Sequence, residues 1–88
     1  PGLLEADPII TVYGTGALSL TINARVYHVN SPAGSVTLDS ERLVAHAHGK
    51  VQTDALTDAF PTFKPGINRL TLGAGISKIV ITPNWRNP

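Results

Sequence analysis

Apolar and polar residues alternate along most of this chain. The runs Ile9-Ile10-Thr11-Val12-Tyr13, Leu18-Ser19-Leu20-Thr21-Ile22 and Val26-Tyr27-His28-Val29 change character at nearly every step. In an extended backbone successive side chains point to opposite faces, so such runs build half-buried strands. They are rich in β-branched residues and are cut at short intervals by Gly, Pro, Asn and Asp. Apolar spacings of three and four occur only around Asp54–Phe60, too short a stretch to sustain a helix. The pattern predicts an all-β domain, an antiparallel β-sandwich of about seven strands in two stacked sheets.

The elements follow in order. Ile9–Tyr13 is a first strand, opened by Pro8 and closed by Gly14. Gly16–Asn30 reads as a hairpin with Asn23 and Ala24 as its turn. That register sets Leu20 opposite Tyr27 and Leu18 opposite Val29 on one side. Ile22 then faces Arg25, whose stem covers it while the head reaches water. Ser19, Thr21, Val26 and His28 take the other side. Ser31–Gly34 breaks the chain. Val36 and Leu38 run in, Asp39–Glu41 turn, and Leu43, Ala45 and Ala47 alternate out. A last hairpin is expected from Leu70 and Leu72 through Gly73-Ala74-Gly75, with Ile79 and Ile81 returning along the same face.

Between these pairs lies FPTFKPGINRLTL, Phe60 to Leu72. Pro65 presets φ for the second position of a turn and Gly66 supplies positive φ at the third, a type II turn. Asn68 follows, with a side-chain amide able to tie the turn backbone. Phe60 and Phe63 flank Pro61, and their simplest use is to close the open end of the core. The segment reads as a rigid corner rather than a display loop, which would expose two Phe as a partner surface.

Composition narrows the function classes. Eighty-eight residues, 42% of them hydrophobic, make one domain, residues 1–88, with a single core and no room for a deep cofactor cleft. Charged residues are only 15% and the formal net charge is +1. The basic residues are scattered and trace no phosphate-tracking stripe, so no nucleic-acid partner is expected. There is no Cys, which removes disulfides and thiolate metal sites. No apolar run approaches the roughly 20 residues of a membrane span, and no leader pattern is present. The chain begins at Pro1 and contains no Met, so it is expected to be part of a longer or processed protein.

Candidate chemistry is thin. His46 and His48 are two apart on an expected strand and would project from one face, where a metal site would need His28, Asp39 or Glu41 as a third ligand. The plainer reading puts both on a solvent face, opposite Leu43, Ala45 and Ala47. Asp39-Ser40-Glu41 brings two carboxylates together, but neighbouring turn residues diverge and nothing in the pattern buries them. Tyr13–Ser19, YGTGALS, lacks dinucleotide-loop spacing and leads into a strand. His28–Pro32, HVNSP, is similar to the His-x-Asn stretch of galectin sugar sites, without the Arg and the downstream Trp-Gly-x-Glu-x-Arg segment of those sites. Sugar binding also needs an exposed aromatic, and the one Trp is Trp85. Tyr27 and His28, beside Thr21 and Arg25, form the candidate ligand face for a glycan. No catalytic residue, metal or cofactor is expected, and the chain reads as a non-enzyme.

The corner leads to a family. FPTFKPGINRLTL followed by ISKIVITPNWR resembles the C-terminal part of siphophage distal tail proteins. PIITVYGTG resembles the family's Pro-Ile-Ile-x-Val-x-Gly-x-Gly strand, LSLTIN its next strand, and VTLDSER its Leu/Ile-Asp-Ser-Glu turn. The resemblance spans residues 8 to 86, and the pieces occur in the family's order. It implies a galectin-like, jelly-roll-type sandwich appended to a ring-forming domain that this chain lacks. It also implies a structural place at the tail tip or baseplate of a phage or prophage, in a virion component made in the bacterial cytoplasm. Other tail-tip or receptor-binding proteins would be its partners, and no membrane partner is implied. Asp39, Glu41, Phe60, Pro61, Pro65, Gly66, Asn68, Trp85 and Arg86 match the family's motifs and are implied to be architectural. The chain is shorter than many such sandwiches, so an unpaired edge open to strand addition is expected.

Overall fold

A computed structural model describes residues 5–57 and 59–84. Eight strands run in order: β1 (Ile9–Tyr13), β2 (Gly16–Ile22), β3 (Arg25–Ser31), β4 (Ser35–Asp39), β5 (Val44–Ala47), β6 (Lys50–Val51), β7 (Leu70–Leu72) and β8 (Lys78–Thr82). The described residues contain no helix. The strands form two antiparallel sheets, a five-stranded one ordered β6-β5-β4-β1-β8 and a three-stranded one ordered β3-β2-β7. The all-β sandwich expected from the alternation is the fold.

Alternation sorts the side chains between core and solvent. Ile10 and Val12 of β1, Val36 and Leu38 of β4, and Ala45 and Ala47 of β5 point inward from the wider sheet. Leu18, Leu20 and Ile22 of β2 meet them with Tyr27 and Val29 of β3, and all belong to one buried cluster. A fully buried side chain of this size contributes about 1.5–3 kcal/mol, so this single layer carries most of the favourable free energy.

The β2–β3 register is the expected one, with Leu18 opposite Val29, Leu20 opposite Tyr27 and Ile22 opposite Arg25. Asn23 (φ 51°) and Ala24 (φ 70°) are both left-handed, as a two-residue type I′ turn requires. Asn tolerates that region through local hydrogen bonding, whereas the Cβ of Ala24 is strained there.

Three expectations are corrected. First, β7 and β8 do not pair: β7 bonds β2 in one sheet and β8 bonds β1 in the other. The glycine-rich connection therefore steps between sheets. Gly73 N–H donates to the Ser19 carbonyl (2.9 Å) and Ser77 N–H to the Tyr13 carbonyl (2.9 Å), which anchors one end of the step on each sheet. Second, Leu43 is not on the inward face of a strand. It is the last residue of the turn before β5, left-handed at φ 56° and 69% exposed. Third, β5 stops at Ala47, so His48 leaves the strand at φ 51° and does not share a strand face with His46.

The sheets differ in width, and a long connection makes up the difference. Short links at 14–15, 32–34 and 73–77 carry the chain between layers. β5 and β6 extend past the narrower sheet, leaving the alanine face of β5 in need of cover. The segment between β6 and β7 provides it: Asn30 N–H donates to the Ala55 carbonyl (2.7 Å), and Leu56 bridges Val29 at the β3 edge. Ala55 is buried there, and Leu56 and Phe60 pack on the core.

Two predictions follow from backbone geometry. Gly14 lies against the Gly75 carbonyl and the Leu18 side chain where two inter-sheet links meet, so any Cβ there strikes backbone. Gly14→Ala should lower unfolding free energy by about 1–3 kcal/mol, the usual cost of overpacking, read from urea denaturation. Ala24→Gly removes left-handed strain and should raise stability by about 0.5–1 kcal/mol in the same assay.

Candidate functional site

The corner between β6 and β7 is built around Asn68. Its Oδ1 accepts from the Lys64 N–H (3.0 Å), and its Nδ2 donates to the Lys64 carbonyl (2.9 Å) and, at 3.4 Å, to the Gly66 carbonyl. Gly66 sits at φ 89°, as the third position of a type II turn demands. A second Asn locks this turn to the β2–β3 turn. Asn23 Nδ2 donates to Asn68 Oδ1 (2.8 Å), and Asn23 Oδ1 accepts from Arg69 N–H (2.9 Å). The Asn23 N–H donates in return to the Arg69 carbonyl (2.9 Å). Two turns far apart in sequence are thus held as one rigid tip.

The approach to the tip is buried. Phe63 is in the core, Pro61 is among the most deeply buried side chains, and Phe60 packs against the cluster from a half-buried position. Phe63 and Ala6 exchange backbone hydrogen bonds of 2.8 and 2.9 Å, which pins the corner beside the start of β1. Pro65 lies exposed in the turn itself.

The Asp39–Glu41 segment is more buried than its composition suggests. Asp39 belongs to β4, pairs with Ile9 and Val44, and is 4% exposed, and Ser40 is 3% exposed. Asp39 Oδ1 accepts from the Arg42 N–H (3.0 Å), and Ser40 N–H donates to the Pro8 carbonyl (3.0 Å). The expectation of a solvated turn therefore holds only for Glu41, which is exposed. The buried carboxylate orders the chain reversal rather than facing a cleft.

The histidines stand apart in role. His46 is half-buried in β5 opposite Thr37 and Val51. His48 Nε2 pairs with the Ala33 carbonyl (2.7 Å), tying the β5–β6 turn to the β3–β4 link. His28 lies on the outer face of β3. Among the described residues no three His, Asp or Glu side chains gather closely enough to hold a metal ion.

A cleft of about 440 Å³ opens on the outer face of the three-stranded sheet. Ala17, Ser19, His28 and Asn30 form its floor, with Thr57 and Ala74 at its sides. Leu18 and Val29 complete the lining, which combines hydroxyl, imidazole and amide groups with apolar ones and, among the described residues, includes no Asp, Glu, Lys or Arg and no aromatic plate. Tyr27, expected beside His28 as part of a ligand face, instead faces the core at 4% exposure, with the Arg25 guanidinium 5.1 Å from its ring centroid. The register explains it: Tyr27 opposes Leu20, whose side chain is inward. Tyr13 is half-buried, with Lys78 Nζ 4.7 Å from its ring centroid. Trp85 and Arg86 lie outside the described residues. A second, smaller cleft of about 240 Å³ lies between Leu43, Val51, Leu56 and Phe60.

Comparisons with protein-family models, curated proteins and solved structures find no match for this chain.

The asparagine pair has a testable weight. Asn68→Ala deletes the partner of Lys64, Gly66 and Asn23 at once. Because several of these groups can turn to water, the expected loss is about 1–2 kcal/mol, seen as a lower unfolding midpoint. Amide exchange should quicken at Lys64 and Arg69 and stay slow in β1.

Proposed function

We propose that this domain is a structural and docking module of a phage or prophage tail-tip protein, holding or receiving tail-tip or receptor-binding components. The observation that carries the reading is the ordered set of motifs from Pro8 to Arg86 that resembles distal tail proteins. Four of its described members support the reading: Pro61 is in the core, Asp39 orders a chain reversal, and Gly66 and Asn68 form the tip. Such residues suit a part whose work is shape. Ring formation, in this reading, belongs to a domain outside this chain, and the sandwich decorates the ring.

A glycan-binding module is the second reading, favoured by the cleft that offers the hydrogen-bonding groups of Ser19, His28 and Asn30. No aromatic occurs among the described residues of that lining, which weakens it, because sugar recognition leans on stacking as well as hydrogen bonds. A glycan array probed with the full-length protein separates the two. For the leading reading, negative-stain imaging of the full-length parent should show closed rings with the sandwich outside. A parent that remains monomeric at micromolar concentration would count against it.

A further inference from the structure

We propose that the Lys64–Arg69 turn is a docking tip. Ile67 is its anchor, entering an apolar socket on an acidic partner protein, and Lys64, Arg69 and Arg25 form the cationic rim. The proposal rests on the docking reading above and names the surface through which docking occurs.

Ile67 is 81% exposed, more than any other large apolar side chain described. Single exposed apolar residues are ordinary on a solvated surface. Here the exposed one sits on a tightly held turn. Asn68 ties the turn internally through Lys64 and Gly66, and Asn23 ties it to the β2–β3 turn. Ordering a loop is a main cost of association, and this loop is ordered before any partner arrives. An apolar anchor inside a polar rim is the usual anatomy of an interface centre.

Charge selects the partner. Lys64 and Arg69 bracket the turn, and Arg25 follows the Asn23-Ala24 turn bonded to it; all three are exposed. No Asp or Glu occurs between residues 8 and 38 or after residue 58, so β2, β3 and β7 carry none. Asp39 and Glu41 belong to the β4–β5 reversal of the wider sheet, Asp54 and Asp58 to the connection that precedes the corner, and Glu5 and Asp7 flank Ala6, which pairs with Phe63 just before Lys64. With Glu5 as the acid nearest Lys64 and Arg25 and Arg69 on the turns beyond it, cations predominate at the tip, which complements an acidic surface and steers its approach. A second copy apposed tip to tip would bring like charges together. One isoleucine gives far less insertion than the amphipathic helices that hold a lipid surface.

The test places p-benzoylphenylalanine at position 67, 43 or 80 of the full-length parent in producing cells, with cross-linked peptides identified by mass spectrometry. Position 67 should cross-link to a different protein through a peptide containing Asp or Glu, and positions 43 and 80 should not. With that protein purified, Ile67→Ala should weaken binding at least about tenfold, as removal of an interface anchor does. Lys64→Glu with Arg69→Glu should slow association and abolish its salt dependence. Both variants should keep the parent's unfolding midpoint, since these side chains are exposed. Cross-links to a second copy or to lipid, capture only from 43 or 80, or an Ile67→Ala effect below twofold would overturn the proposal. A partner captured at 67 that is not a tail protein would leave the tip standing and remove the tail reading. A tail protein captured only at another position would do the reverse.

Discussion

The structure depends on a mismatch of widths. Five strands in one layer face three in the other, and a wider sheet cannot leave its inner face against water. The segment from Gln52 to Arg69 resolves this. It places Ala55 and Leu56 along the β3 edge, so the narrow sheet gains a partial fourth strand where β5 and β6 overhang. The inward residues of β5 are both alanines, which fits cover by an irregular segment rather than by a facing strand. The same segment closes the open end with Pro61 and Phe63 before it reaches the tip. Core cover and surface display thus lie on one stretch of chain, with the switch falling between Phe63 and Ile67.

Rigidity at that switch has a local cause. A lone β-turn of Pro and Gly would be held mainly by its own dihedral preferences. Here two asparagines remote in sequence pair through their amides, Nδ2 of one to Oδ1 of the other, at 2.8 Å. Each also bonds the backbone next to the other turn or within its own. The left-handed Asn23 needed for the type I′ turn is therefore also the residue that fixes the corner. One side chain serves hairpin register and tip geometry together.

Much of the fold was legible because the alternation is strong where both faces are specified. In β2–β3 a slip of one residue would turn Leu20 and Tyr27 outward and Ser19 and His28 inward, so the register is pinned by chemistry alone. The β7–β8 connection was not legible. Two glycines between alternating runs look the same whether the chain folds back on its neighbour or steps to the other layer, and only the free edges of β2 and β1 decide it. Leu43 misled for a related reason: periodicity extended back from Ala45 by one place too many, into a turn. At the candidate site, Asn68 and Gly66 were readable from turn chemistry, whereas the Asn23 partnership joins residues that no local pattern connects. The burial of Asp39 was hidden because acid, hydroxyl and acid in sequence look like a solvated bend. The cause lies in the fold, where the β4 pairing continues through that residue to Ile9. Tyr27 was legible as an inward residue by parity, and its aromatic character alone suggested a ligand face.

The pairing of β1 with both β4 and β8 bears on how the chain is made. Synthesis delivers β1 well before β8, so the first strand stands with one flank bare until the residues in between have been made. The contacts that complete it are among the longest in sequence that the domain contains, and such closures are slow to form. Until they do, Ile10 and Val12 are covered on one side by β4, and the other flank is open to any passing strand. The sheet stays half-dressed in the meantime, and the domain becomes cooperative only when its last strand arrives.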